Sequence, residues 1–502
     1  MIRNKWTLAL CVLTIALNAC IKDHNPQPVT SENAAAFREV SSTDLGGEAA
    51  AEISAYDAAT ERLFTVNNES KALVDVLDFS SFPAKKIQSI DISALGGVAN
   101  SVAVSDGKLA IALEGTDKQA NGKIIVINTS TLAEIKQVTV GALPDMVTFS
   151  PDGRYIVTAN EGEPNATYTN DPEGSISIID VTNNYSVKTI NFTAFASMQS
   201  QLLAGGFRTF GPNAGDFSKD IEPEYVAISE DSKKAWITLQ ENNAIAEVDL
   251  VSGTILKINP LGTKDYSVAM NAIDASNEDG KIELKTWPVK SYYMPDAISY
   301  FNIGGTGYLI TANEGDARDY TGFKEEARVS TLKLDPVKFP NAAELQKKEN
   351  LGRLNVTTTA GKNSAGLYEE LYGFGGRGFS IFNASTGQQI FEIGKALEEE
   401  VIKACKYDDS RSDDKGIEPE GVTVGLVNGK PTAFVALERA DAIAVYDVSN
   451  PTAPKFLQLI ATGDAPEGVL FVSADKSPNG RSMLVVSSEG DGTVKVYQPD
   501  LL

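Results

Sequence analysis

The sequence predicts an all-β fold, a β-propeller, most simply of seven four-stranded blades with short helical insertions, an irregular eighth blade being the alternative. Three observations predict it. Two strand-like runs joined by a tight turn recur seven times along 502 residues. Each copy is typically followed by a third apolar run and often by a fourth, and a repeat of about 40 to 50 residues is the period of a propeller blade. The clearest copy is LPDMVTFSPDGRYIVTANEGEPN, in which Pro144-Asp145 precedes a run from Met146 to Phe149. The stretch Ser150-Pro151-Asp152-Gly153 then reverses the chain, and a run from Tyr155 to Ala159 leads to Asn160-Glu161-Gly162. Proline and glycine between alternating apolar runs mark a hairpin.

In chain order, residues 1–19 read as a lipoprotein signal peptide: two basic residues, an apolar stretch from Trp6 to Leu17, then small residues. This is too short and wrongly flanked to span a bilayer. Leu17-Asn18-Ala19-Cys20 resembles a bacterial lipobox, so Cys20 is expected to carry lipid and residues 20–33 to form a polar, proline-bearing tether. Ile21 stands where an aspartate would favour inner-membrane retention. Export and lipid anchorage to the outer membrane are therefore expected, with surface exposure suggested by the loose likeness of Lys22-Asp23 to surface-export signals. Cys405 is the only other cysteine once Cys11 leaves with the leader, which excludes an intramolecular disulfide if Cys20 is acylated. Its setting, VIKACKYDD, reads as a half-buried helix.

Residues 34–502 are expected to form a single propeller domain. The run at 34–43 should supply the fourth strand of the last repeat, closing the ring and removing an exposed sheet edge. The repeated phrase pairs Glu52 with Glu69, Asn100 with Glu114, Asp145 with Glu161, Glu224 with Glu241, Asp296 with Glu314, Glu420 with Glu438 and Glu467 with Glu489. The second acids stand 45, 47, 80, 73, 124 and 51 residues apart, so some repeats carry insertions. Two are expected: near 193–219, with a short helix in FASMQSQLLAGGF, and near 315–371, with a helix in NAAELQKKENL. After the second, RGFSIFNASTGQQIFEIG resumes the interrupted blade.

The first strand of every blade lines the axis, so residues just before it and just after the second strand gather on one face. Carboxylates brought together there must bind a cation, pair with arginine or take up protons. Turn capping and bridging between blades explain part of the pattern. The acids outside the repeat are harder to explain in that way. Glu222 and Glu418, in DIEPEYVAIS and GIEPEGVTVG, are additional to it and make, with Glu224 and Glu420, the expected metal ligands. Arg318, Arg377 and Arg411 stand in the irregular loops of the same face and are candidates to grip an anionic ligand.

Composition narrows the chemistry. A formal charge of −23, two units more negative without the leader's Arg3 and Lys5, makes nucleic acid a poor partner and cations or basic ligands good ones. The single histidine, His24, lies in the tether. The body therefore has no imidazole for a Ser-His-Asp triad or an ordinary zinc site, and any metal should be hard and oxygen-ligated, Ca²⁺ foremost. No nucleotide, haem, flavin or zinc motif is present, and FGGRGF by itself reads as close packing of a backbone turn.

SPDGRYIVTANEGEPN, DIEPEYVAIS, TANEGDARDY, FGGRGFSIF and RSDDKGIEPEGV together resemble the choice-of-anchor I family of secreted bacterial proteins, over about residues 44–497. Its members are often labelled alkaline-phosphatase-like or similar to a mesenchyme-specific cell surface glycoprotein. The resemblance implies an extracellular propeller with a variable anchor, here lipid on Cys20, and brings no catalytic set. The function expected is a cell-envelope binding or scaffold module with an acidic, Ca-binding face. It would engage a glycan, peptide or phosphorylated small molecule, as a monomer touching membrane only through its lipid. A Ca-dependent, phytase-like phosphoesterase is the alternative, followed by a lactonase-like hydrolase.

Overall fold

Short apolar runs ended by turns form strands, and their place in a blade follows from how each is buried. The structure is a computed structural model that describes residues 31–502; the signal peptide, Cys20 and His24 lie outside the described residues. Second and third strands such as Tyr155–Asn160 and Ser175–Asp180 are buried along their length, because neighbouring blades cover both faces. Outer strands such as Lys85–Asp91 are wet and polar. First strands such as Pro144–Phe149 are half-buried, as expected of strands that line an axial channel.

Seven four-stranded antiparallel sheets form the ring. Six are continuous in sequence order, at 54–91, 99–142, 144–191, 223–260, 298–392 and 419–461. The seventh joins 466–501 to the N-terminal strand Glu32–Asp44, whose Glu32 pairs with Leu501 and whose Asp44 pairs with Thr493. Closure by the N-terminus is thus as expected, although the strand begins inside the stretch read as tether. Insertions at 193–219 and 315–371 carry the helices Gln199–Ala204 and Ala342–Leu345. A third, at 263–292, was not anticipated; its strands Thr263–Asp265 and Lys290–Tyr292 pair with each other, and Lys290–Tyr292 pairs in parallel with Tyr372–Gly373, just after the second. These two share an apolar core that includes Tyr266, Ile273, Phe339, Leu351 and Tyr368.

Helix Ala396–Lys403 buries Leu397 and Val401 between blades 5 and 6. Cys405, read as half-buried in a helix, instead lies two residues beyond it, exposed and left-handed. Every long insertion rises from one face, where first strands begin and second strands end. The opposite face carries mostly tight hairpin turns.

Candidate functional site

The local chain path explains why the repeated acids converge. In blade 3, Pro144 pairs with Asn160 and Val147 with Thr158, so Asp145 and Met146 share a bulge. Blades 4 and 6 repeat this at Glu224-Tyr225 and Glu420-Gly421, and blades 2 and 7 displace Asn100 and Glu467. A bulge re-aims a side chain, here toward the axis. Preceding residues Leu143, Met294, Glu418 and Ala465 are left-handed (φ 47°, 46°, 45° and 50°), a region uncommon for residues with a Cβ. The carbonyls of Leu143, Glu418 and Ala465 accept the amides of Glu161, Glu438 and Glu489 at 2.8, 3.0 and 2.9 Å, which fixes each blade's two acids relative to each other.

The result is an acidic mouth over an axial cavity of about 380 Å³, whose lining includes Ser54, Ser101, Met146, Tyr225 and Thr423. Burial, reinforced by neighbouring acids, pushes the carboxyls of Glu52 and Asp145 up to about 7. Glu241 and Glu438 are also raised to about 7, burial outweighing nearby arginines. Glu161, Glu224, Asp296, Glu420 and Glu467 are pushed well above the carboxylate range by burial and by one another. Glu489 is raised more modestly by burial. Among the described residues Oε2 of Glu224, Glu241 and Glu420 is buried without a hydrogen-bond partner, and Glu224 and Glu241 are only 8% and 5% exposed. One carboxylate oxygen each from Asp296, Glu314 and Glu420 lie within 4.8 Å of one another.

The two acids outside the repeat have a different fate. Glu222 Oε2 accepts from Arg318 Nε and Nη2 at 2.9 and 2.8 Å, while Arg318 Nη1 reaches Asp220 at 2.6 Å, all of them buried. Burial and nearby acids push Glu222 up, yet against the cost of burial Glu222 and Asp220 raise Arg318 well above its ordinary value; two charge-assisted bonds on one oxygen favour the ion pair. Glu418 accepts from Arg411 Nε at 2.9 Å and has Lys415 at 3.4 Å. Both acids are neutralised by side chains, which removes Glu222 from the expected metal set and leaves the free carboxylates to Glu224, Asp296 and Glu420.

Arg318 and Arg377 are buried in contacts within the chain. Arg377, 1% exposed, donates to the carbonyls of Asp274, Ser412 and Asp414 and lies 3.5 Å from Glu398. The glycines before it allow close backbone contact: a Cβ on Gly375 would collide with the carbonyl oxygen of Glu314. Arg411 is half-exposed but held by Glu418 and Asp414.

Two of the repeat positions slip by one residue. In blade 1 Asn68, not Glu69, follows the second strand and donates to Glu52 at 2.9 Å; Glu69 is exposed and accepts from Gly47. In blade 4 that place belongs to Gln240, which donates to Glu314 at 2.9 Å.

Sequence reasoning did not single out Glu163, Lys118, Tyr320 or Lys415. Glu163 lies beside Asp145 and Glu161, pairs with Lys118 and accepts from Tyr320 Oη at 3.0 Å. Lys415, only 9% exposed, donates to Glu314 at 2.8 Å and lies 3.3 Å from Asp316. Although burial acts in the opposite direction, this ammonium holds Glu314 below its ordinary value. Glu314, Glu418 and Glu438 make a second oxygen triad, and Lys415 stands against two of its members as a resident cation.

Fold and site together define a seven-bladed propeller that presents a converging acidic mouth on its insertion-bearing face. The chain belongs to the choice-of-anchor I family, whose domain model matches residues 52–451. It is 29% identical over 348 residues to the mesenchyme-specific cell surface glycoprotein of Strongylocentrotus purpuratus, covering 58% of this chain and 44% of that one. It is also 29% identical over 181 residues to gigasin-3a of Magallana gigas, covering 29% of this chain and 64% of that one. The chain thus spans less than two thirds of either relative. Among solved structures it is similar to the β-propeller domain of Myceliophteria thermophila Cps50 (8% identity, TM-score 0.47, 92% of this chain and 100% of that one). It is likewise similar to the WD40 domain of Neurospora crassa Pan2 (10%, 0.48, 94% and 98%).

Proposed function

We propose that the protein is a cell-surface binding module whose acidic mouth holds a hard divalent cation, Ca²⁺, and engages an extracellular ligand there: a glycan, a peptide or a phosphorylated small molecule. The observation that carries this reading is the set of buried carboxylate oxygens without partners, on Glu224, Glu241 and Glu420, beside the oxygen triad of Asp296, Glu314 and Glu420. An all-oxygen donor set of high negative charge suits Ca²⁺. The family's name and the cell-surface relative support an exported protein. In this reading the attachment is lipid on Cys20 at the outer membrane; among the described residues no helix is long and apolar enough to cross a membrane. The phosphoesterase and lactonase readings are less well supported. Two of the three arginines that would grip phosphate are buried in structural contacts, and Lys415 stands where a second metal would sit.

Calorimetry and elemental analysis of purified protein test this. The expected result is one bound Ca²⁺, with Asp296→Asn and Glu420→Gln each weakening binding by roughly tenfold or more. Absence of bound metal, of heat and of a melting shift with Ca²⁺ would refute it. Lys415→Met should free the second triad, so the calorimetric stoichiometry should rise from one Ca²⁺ to two; an unchanged stoichiometry would show that Lys415 occupies no cation position.

A further inference from the structure

The chain's topology fixes where an N-terminal attachment leaves the propeller. The closing strand Glu32–Asp44 runs antiparallel to Thr493–Leu501, with Asp44 at the acidic end and Glu32 at the far end. The far end is pinned: Glu32 Oε1 accepts from Ser482 N at 2.7 Å, Ser31 O from Leu502 N at 2.8 Å, and Ser31 Oγ from Asn428 Nδ2 at 3.1 Å. Asn428 and Ser482 belong to hairpin connections on the face without insertions. Thirteen extended residues span about 40 Å, so Ser31 is separated from the acidic mouth by roughly the height of the propeller.

The two faces also differ in charge. The hairpin turns of the far face mix signs, as at Asp152 with Arg154 and Asp231 with Lys233. The mouth instead gathers Asp145, Glu161, Glu224, Glu241, Asp296 and Glu467 around one axis, where the buried, unpartnered oxygens of Glu224 and Glu241 point to a missing positive group. Where these carboxyls are ionised, one divalent cation balances two of their charges and leaves the rest uncompensated.

We infer that the acidic mouth is an interaction surface directed away from the N-terminal attachment, toward a partner protein that presents basic side chains from an opposing surface. Electrostatic complementarity of this kind speeds encounter and weakens with salt. The inference rests on the binding reading of this face but not on the metal.

The protein carries its own reporter. Cys405 is exposed on the acidic side: Lys406 Nζ reaches the carbonyls of Ala440 and Asp441, in the turn that follows the second strand of blade 6, and Cys405 shares a surface pocket with Glu438, Arg439 and Asp464. Two full-length forms can therefore be coupled to a sensor surface through a single thiol. One uses Cys405, the other Ser31→Cys with Cys405→Ser; both have Cys11 and Cys20 replaced by serine. Long polylysine is the probe, applied with chelator and then with Ca²⁺. Coupled through residue 31, the protein should capture polylysine and release it at high salt. Coupled through Cys405, most of that capture should be lost. In the form coupled through residue 31, Glu224→Gln with Glu241→Gln should lower capture. Equal capture in the two orientations, or more through Cys405, would overturn the inference. Capture in chelator by a protein that binds no Ca²⁺ would sink the metal proposal and leave this one standing.

Discussion

Lowering the pH from about 8 to about 5 should stabilise the cation-free protein, the reverse of ordinary acid destabilisation. Glu52, Asp145, Glu241 and Glu438 ionise at about 7 in the folded state against ordinary values of 4.5 or 3.8, chiefly because burial disfavours their charge. Between those limits the folded protein holds protons that the unfolded chain has released. Stability from these groups is therefore fully present below about pH 4 and is lost as pH rises through about 7. For a group as buried as Glu241, a rise from 4.5 to about 7 corresponds to ~3 kcal/mol, and the expected gain in melting temperature is several degrees. Ca²⁺ needs the same carboxylates ionised, so its stabilising effect should be largest near pH 8 and fade toward pH 5. Melting curves across this range, with chelator and with Ca²⁺, check both halves. A melting temperature in chelator that climbs steadily with pH would refute the proton-holding mouth.

This behaviour follows from features the sequence displays and features it hides. Blade count, ring closure and the convergence of the first acids were legible because each hairpin repeats a short local phrase, and a turn with Pro and Gly fixes where strands begin. Glu69 and Glu241 stand one residue beyond the repeat position: Glu69 turns out to solvent, whereas Glu241 still reaches the buried acids of the mouth beside Glu224. The true occupants, Asn68 and Gln240, are amides that donate to Glu52 and Glu314, and no pattern of acids alone could reveal them. The insertion at 263–292 escaped notice because its apolar residues are irregularly spaced and find their core in a segment some 70 residues later. The partner of Glu222 was invisible for the same reason: Arg318 lies 96 residues away. Lys415, by contrast, stood three residues before Glu418 and could have been weighed as its counter-ion.

Replacing Arg318 by methionine should be the most damaging single change at this face, at about 3–5 kcal/mol, because it leaves carboxylates in a site water does not reach. The two acids should not share the damage equally. Asp220 keeps two backbone donors, Phe210 N and Gly211 N, both at 2.8 Å, so its oxygens stay hydrogen-bonded without the guanidinium. Among the described residues Glu222 has only Arg318 for its charge, and without it should take up a proton or open the loop. Glu222→Gln in the Arg318→Met background should therefore recover a substantial part of the loss, whereas Asp220→Asn should recover little. The defect should also be local before it is global. Arg318 ties the 315–371 insertion to the start of blade 4, and the buried Arg208–Glu325 pair, at 2.5 Å, ties the same insertion to the segment at 193–219. Faster amide exchange near 208–222 and 318–325, with the outer strands of blade 1 unchanged, is the expected signature. Uniformly faster exchange would mean that Arg318 supports the whole ring. No change in melting or exchange would mean that the pair adds nothing to stability, and Glu222 would then return as a candidate ligand for the cation.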